Sequence, residues 1–456
     1  GLMHFFAETT QPFLTLASSS IYLAMALSAL FLLMIAHEIL IAMLTLLSSG
    51  QSRVLRDFLI FCAVYLLLLL FTYLHETNII SWDMVYVNVL LLISVSGILG
   101  IWGFRKREEQ YNYLMDFAPG GAFFYVGMML IALATFSHLE ISFNDPGIEV
   151  FRDFTIMGHL AFGVIFLVYL LANFATPLGN NMAVHKVMFN PANMPYFTFR
   201  LAGIIMFVGL LFPSGTKTSL YQTQSAYFNA LGDLAIVENE PLFALRYYEE
   251  SASYGYNNHK ANYSLGKFHI ATQAFDLAIS PMRRATEKWP TPQSFVDLSR
   301  AYMATNQPYE ALFTLKKGQT AFPSNYEIAN NLGLAYNDVN VLDSAFLALD
   351  GAHALAPERT NAGSNILGMF AKHQIPYDPD SLLDLYVNRE NDLSVINGYA
   401  MKNQAGEAWD YPIVSYDSSL TYMEASLIYS QTLNALFKTD TFQTRSVSKY
   451  ISHPAN

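Results

Sequence analysis

The stretch Asn325–Pro357, NYEIANNLGLAYNDVNVLDSAFLALDGAHALAP, decides the fold of the second half of this chain. It reads as two antiparallel helices. Small Gly333 and Ala345 let the helices approach closely, Leu332 and Tyr336 fill the space between them, and Pro357 ends the second. The same marks recur upstream. Leu231-Gly232, Leu265-Gly266 and Leu298-Ser299 precede Leu332-Gly333 at intervals of 33–34 residues. Thirteen residues after each leucine stands an alanine: Ala244, Ala278, Ala311 and Ala345. Pro290, Pro323 and Pro357 close three units in register, and Tyr302 and Tyr336 share the aromatic position of the first helix.

One such hairpin cannot bury its own apolar face, so units of this kind stack. The register over about residues 225–358 resembles the tetratricopeptide (TPR) repeat family. The resemblance implies an α-solenoid over residues 216–380 and protein or peptide partners bound across a large surface. Beyond it the pattern decays. Leu367-Gly368 opens a fifth unit, but Asp380 stands where the alanine belongs. Residues 381–456 are expected to be degenerate helical repeats or a cap, with Ser419–Phe437 helical. Tyr254, Tyr256, Asn257 and Asn258 are expected in the loop between the first two units.

The first half is different. Across 456 residues, 53% are apolar and only 13% charged, against roughly 25% in soluble domains. Residues 1–215 hold 8 of the 25 Lys+Arg and 12 of the 36 Asp+Glu. Six apolar segments follow one another there: Ile21–Leu47, Phe58–Leu74, Val85–Trp102, Ala122–Phe136, Ile156–Ala175 and Phe197–Phe212. Most approach the roughly 20 residues that cross a bilayer as a helix. The fold class is therefore all-α: a polytopic helical membrane domain of about six spans over 1–215, then the TPR-type solenoid. The first span should tilt or protrude, and the short fourth and sixth lean on flanking Gly, Tyr or a snorkelling Arg200. Trp82 and Trp102 sit at span ends, as interfacial belt residues do.

Alternate loops carry Arg53, Arg56, Arg105, Lys106, Arg107, Lys186 and Arg200, whereas the intervening loops carry only Arg152. The positive-inside rule then puts the amino terminus and the repeats outside. In a Gram-negative bacterium this means a multi-pass protein of the inner (cytoplasmic) membrane, in the lipid bilayer, with a periplasmic soluble domain. The net charge of −11 opposes nucleic-acid binding. The chain opens on Gly1 rather than Met, so processing or truncation is expected.

Few residues could carry chemistry. His37 and Glu38 form an intramembrane polar pair, expensive in hydrocarbon and a default marker of function such as proton handling; the competing reading is a hydrogen-bonded Glu facing another helix. His75, His138 and His159 fall near the outer ends of spans two, four and five, where two could hold a haem b and three a metal, or all could simply sit half-buried at the interface. Cys62 has no neighbouring charge and reads as packing. Glu76 and Asp83 are candidates by position alone for an outward sugar-transfer site. No nucleophile elbow or phosphate loop is present, so no catalytic residue or cofactor is assigned. The first reading is a membrane-anchored TPR scaffold, a subunit of a larger complex. The alternative is a membrane enzyme or haem/redox subunit, for example a polytopic transferase, using the repeats as a docking arm. A transporter is third, since no internal repeat or charged pathway is evident in the spans.

Overall fold

The computed structural model describes residues 21–48, 53–76, 79–82, 87–105, 120–188, 196–214, 216–409 and 421–435. Among them every regular element is helical. Asp83, Lys106 and Arg107 lie outside the described residues. The chain forms two compact units, Gly1–Ser264 and Leu265–Asn456.

The first unit begins with an apolar bundle: α1 (Ile21–Ile35), α2 (Glu38–Leu47), α3 (Val54–Glu76), α4 (Val89–Arg105), α5 (Gly120–Ile141), α6 (Asp145–Gly179) and α7 (Tyr196–Ser214). An apolar helix stands at each of the six segments read from the sequence. Four stretches, Ile21–Leu47, α3, α5 and α6, are long and apolar enough to cross a membrane by length and composition; α4 and the apolar part of α7 are shorter. Phe31, Leu32, Ile93, Ile156 and Met157 pack in one core cluster, and Leu40, Leu44, Phe58, Phe162 and Leu170 in another. The outer face is apolar as well. Ile60, Val64 and Leu67 on α3, Leu91, Val95 and Ile98 on α4, and Phe123, Val126 and Leu130 on α5 are all exposed. Their spacing of three and four residues makes one outward stripe per helix.

Two details are added here. The first apolar segment carries a turn at Ala36–His37, where His37 (φ −104°, ψ −3°) precedes the first turn of α2. Arg200 reaches that turn. Its guanidinium donates to the Leu33 carbonyl at 3.1 Å and the Met34 carbonyl at 3.3 Å, taking up acceptors at the end of α1.

After α7 the chain continues into α8 (Thr216–Val237), α9 (Pro241–Tyr254) and α10 (His259–Ala271). Asn144 Nδ2 donates to the Ala226 carbonyl at 2.8 Å, and Gln222 Nε2 donates to Glu149 at 2.7 Å. Asp145 accepts from the backbone N–H groups of His259 (2.8 Å) and Lys260 (2.9 Å), capping α10. These bonds join the first repeat to the α5–α6 turn, which explains why it belongs to the bundle's unit. Asn258 lies in the loop between α9 and α10, as expected, but buried, and it donates to Ser225 Oγ (2.8 Å) and Ser251 Oγ (2.7 Å). Tyr254 ends α9, and Tyr256 is exposed.

The second unit continues with α11 (Phe275–Lys288), α12 (Pro292–Ala304), α13 (Pro308–Ala321), α14 (Tyr326–Asp338), α15 (Leu342–Leu355), α16 (Thr360–His373), α17 (Pro379–Tyr386), α18 (Asp392–Ala405) and α19 (Tyr422–Ala435). Within each full hairpin the turn is built the same way. Asn239, Gln273, Asn306 and Asn340 all take positive φ, at 59–60°. The next N–H reaches back to a carbonyl in the preceding helix, as Val341 N does to Tyr336 O at 2.9 Å. This is the left-handed helix ending that Asn tolerates better than most residues.

The fifth hairpin departs from the others for a visible reason. Asp380, at the alanine register, lies in the short helix α17 and pairs with buried Lys402 Nζ at 2.8 Å; Glu407 holds the same ammonium at 2.8 Å. Burial alone would lower the Lys402 pKa, but the two carboxylates outweigh it and raise it. Charged groups thus occupy the alanine register, while Leu382, Leu383 and Tyr386 of α17 stay buried.

Candidate functional site

The repeat signature residues are packing residues. Ala244, Ala278, Ala311 and Ala345 are buried, as are Leu265, Leu298, Leu332 and Tyr302. A Cβ at Gly232 would fall 2.6 Å from the Tyr248 ring, at Gly266 2.6 Å from Met282, and at Gly333 2.5 Å from Leu349. Each glycine therefore admits one large side chain of the partner helix sixteen residues on. Leu231 packs part-buried beside Gly232. Pro290, Pro323 and Pro357 each follow the residue that caps the second helix, Trp289, Phe322 and Ala356. Tyr336 receives Lys316 over its ring at 5.3 Å.

Other positions of the first helices line a cavity. Leu334 and Asn337 of α14, Asn365, Met369 and Lys372 of α16, and Asn397 of α18 line a cavity of about 140 Å³. The amides are set by neighbours. Asn365 Nδ2 donates to Asn330 Oδ1 at 3.0 Å, His373 Nε2 meets Asn337 Oδ1 at 2.9 Å, and Asn397 Nδ2 donates to the Ser364 carbonyl at 2.9 Å. Thirty-five residues separate Asn330 from Asn365 and Asn337 from Lys372, so the polar row repeats with the hairpins. Just before α16, Arg359 pairs with Glu327 of α14, holds its carboxyl below the usual carboxylate range and stacks on Tyr326 at 4.9 Å. Small-molecule sites run to about 300–1,000 Å³, so this cavity is smaller than most.

The sequence-derived polar residues of the bundle scatter. His159 is buried, with Nε2 2.7 Å from Ser96 Oγ and Nδ1 2.7 Å from the Thr155 carbonyl. Both ring nitrogens are thereby engaged, and α6 extends fourteen residues before His159. His75 is in the last turn of α3, and His138 is exposed near the end of α5. Among the described residues no three His, Cys, Asp or Glu side chains gather to hold a metal ion. Glu76 pairs with Arg152 at 2.8 Å. Cys62 is buried, and Trp82 and Trp102 are exposed. His37 and Glu38 remain together, with His37 Nε2 3.9 Å from Glu38 Oε1, and Arg200 joins them from α7.

No family model matches the chain, and no curated protein does. Among solved structures it is similar to YrrB, described as a TPR protein with an unusual peptide-binding site. That match has 17% identity, 37% of this chain and 89% of that one, and a TM-score of 0.33. MamA (residues 41 to the end) from Desulfovibrio magneticus RS-1 shares 20% identity over 38% of this chain and 92% of that one, at a TM-score of 0.32. Yeast Tom70 shares 11% identity over 79% and 94%, at 0.30. These superpositions are loose, and the TPR-like architecture stands on the hairpins of this chain itself.

Proposed function

We propose that the chain is a membrane-anchored scaffold that binds or organises protein partners as a subunit of a larger complex. The observation that carries this reading is the amide-lined cavity around Met369 and Lys372. Asparagine amides offer donors and acceptors to an extended backbone, and the Lys372 ammonium favours a carboxylate or carbonyl between them. Leu334 and Met369 supply an apolar floor for a neighbouring side chain.

Anchoring is supported by the outward apolar stripes of α3, α4 and α5, because soluble monomers rarely expose contiguous apolar patches beyond a few hundred Å². On this reading the six apolar helices are six spans, with the amino terminus and the repeats on the outer, periplasmic face of the inner membrane. Ties at the two bundle ends agree with alternating spans. Ser48 Oγ meets His185 Nδ1 at 2.5 Å and Asn181 accepts from Arg53 N at 2.9 Å at one end, while Glu76–Arg152 and the Asn144–Asp145 joint lie at the other.

A photo-crosslinking residue at Asn365 in the full-length chain, activated in intact cells, tests the reading. A discrete adduct to one protein is expected, and it should disappear with Lys372→Glu. Its persistence in that variant, or the absence of any adduct, would contradict the groove.

A further inference from the structure

A group of aromatic rings joins the start of the bundle to the first hairpin, and the amide-lined cavity makes no use of it. Tyr22, in the first turn of α1, stacks on Tyr227 of α8 with ring centroids 4.4 Å apart, and its hydroxyl donates to Gln224. The rings continue from Tyr227 to Phe228 at 5.5 Å, from Phe228 to Tyr254 of α9 at 5.7 Å, and from Tyr254 to Tyr221 at 6.0 Å. Tyr22, Tyr221 and Tyr254 are exposed, and Leu220 beside Tyr221 is 71% exposed.

Contacts with the bundle fix the level of this group. Gln222 Nε2 donates to Glu149 at 2.7 Å, and seven residues on Asn229 Nδ2 donates to Asn144 Oδ1 at 3.2 Å. Asn144 precedes α6, so α8 runs outward along the opening turns of that helix. α9 then returns, with Tyr254 at its bundle end. Exposed apolar residues of the bundle reach the same level. Leu23 and Leu30 mark the outward face of α1 below Tyr22, and Ile141 and Phe143 stand at the α5–α6 turn beside Asn144. The outward face of α1 therefore leads through Tyr22 into the aromatic face of the first hairpin.

The far end of the same hairpin is apolar too, and the comparison is informative. Leu242 and Phe243 open α9, and Leu242 is 73% exposed, close to Leu220. Leu242 lies twelve residues before Tyr254, about 18 Å along the helix. Each polar layer of a bilayer is about 5–8 Å deep, so it reaches one end of the hairpin and not the other. Rings that carry a hydroxyl settle in this layer, with the body against hydrocarbon and the oxygen in water. Four of the five rings in the group are tyrosines, whereas Leu242 and Phe243 have no polar tip.

We infer that the aromatic face of the first hairpin sits in the outer headgroup layer of the bilayer, which makes the first repeat a membrane-contacting element. The inference rests on the membrane-anchored reading and adds that the bundle end of the hairpin, not its tip, touches lipid. The occupant is a lipid surface rather than a protein, because the rings continue the outward face of α1 and share their level with Ile141 and Phe143. The five rings carry no charge, so the contact does not call for an acidic headgroup.

The test uses the unaltered full-length chain in phosphatidylcholine nanodiscs doped with a photoreactive phosphatidylcholine. The reactive group is placed beside the glycerol in one preparation and at the end of the acyl chain in the other. After illumination, adducts are mapped by mass spectrometry. The shallow probe is expected to mark Leu220, Tyr221 and Tyr254, and to mark Leu242 and Phe243 about tenfold less. The deep probe is expected to mark the outward stripes of α3, α4 and α5. Equal shallow labelling at the two ends of the hairpin would overturn the inference. So would its absence from Leu220, Tyr221 and Tyr254 while the deep probe marks the stripes, and in that case the anchored reading stands. Stripes left unmarked by the deep probe would contradict the anchored reading itself, and the inference would fall with it. No substitution is involved, so a misfolded variant cannot mimic any of these results.

Discussion

At the scale of single residues, small side chains in this fold are judged by what stands opposite them. A methyl group at Gly333 would press on Leu349 and stand 3.1 Å from the Ala345 carbonyl, so the helices must separate. Gly333→Ala is expected to cost about 1–3 kcal/mol in urea unfolding. Gly351, mid-way along α15, has nothing within 4 Å of the same added atom. Gly351→Ala should instead stabilise by about 0.5–1 kcal/mol, through helix propensity and a less free unfolded chain. Equal effects at the two positions would contradict the packing. Asn340 supplies a third comparison: at φ 60° it should accept Gly with little change, while Asn340→Val should cost about 1–2 kcal/mol.

Helices and their junctions carry the next set of effects. Glu327 is held below its ordinary value of 4.5 chiefly by the hydrogen bond from Arg359. A carboxylate depressed in the folded state contributes stability above its unfolded value and loses it as pH falls through the folded one. The melting-temperature difference between the unaltered chain and Glu327→Gln should be present at pH 7 and shrink progressively as the pH falls below 4.5. A difference that does not shrink with acidification would argue against the ion pair. At the joint of the first repeat, Asp145→Ala should speed amide exchange at His259 and Lys260, with a cost of about 1–2 kcal/mol. Unchanged exchange there would mean that Asp145 does not cap α10.

This is also the scale at which the sequence was readable or not. The hairpins were legible because their marks are local and recur: a Leu-Gly pair, an alanine thirteen residues on, a proline at the close. The turn at His37 was not legible. Ala36, His37 and Glu38 include neither Gly nor Pro, and the group that occupies the freed carbonyls, Arg200, lies 166 residues beyond Met34. His159 looked like a candidate ligand because nothing local showed that Ser96, on another helix, would take its nitrogen. The cavity was hidden for a related reason: the signature records positions that pack, whereas Asn337, Asn365 and Lys372 occupy positions the repeat leaves free.

For the whole molecule, the proposal joins an apolar bundle to a set of helical hairpins, with the first hairpin fixed to the bundle by Asn144, Asp145 and Gln222. The orientation follows from charge and is open to a thiol-labelling experiment, because the native Cys62 is buried. A cysteine at the exposed Glu238 should react with a membrane-impermeant maleimide added outside intact cells, and one at Arg56 only after permeabilisation. The reverse pattern would invert the topology. The most direct test of the scaffold itself is isolation of the full-length chain from its native membrane in mild detergent, alone and as Lys372→Glu. Every protein that travels with it at high molecular mass is then quantified by mass spectrometry. A stoichiometric partner that is lost with the Lys372 charge is the predicted result; a chain that runs alone, or a partner retained undiminished by the variant, would contradict it.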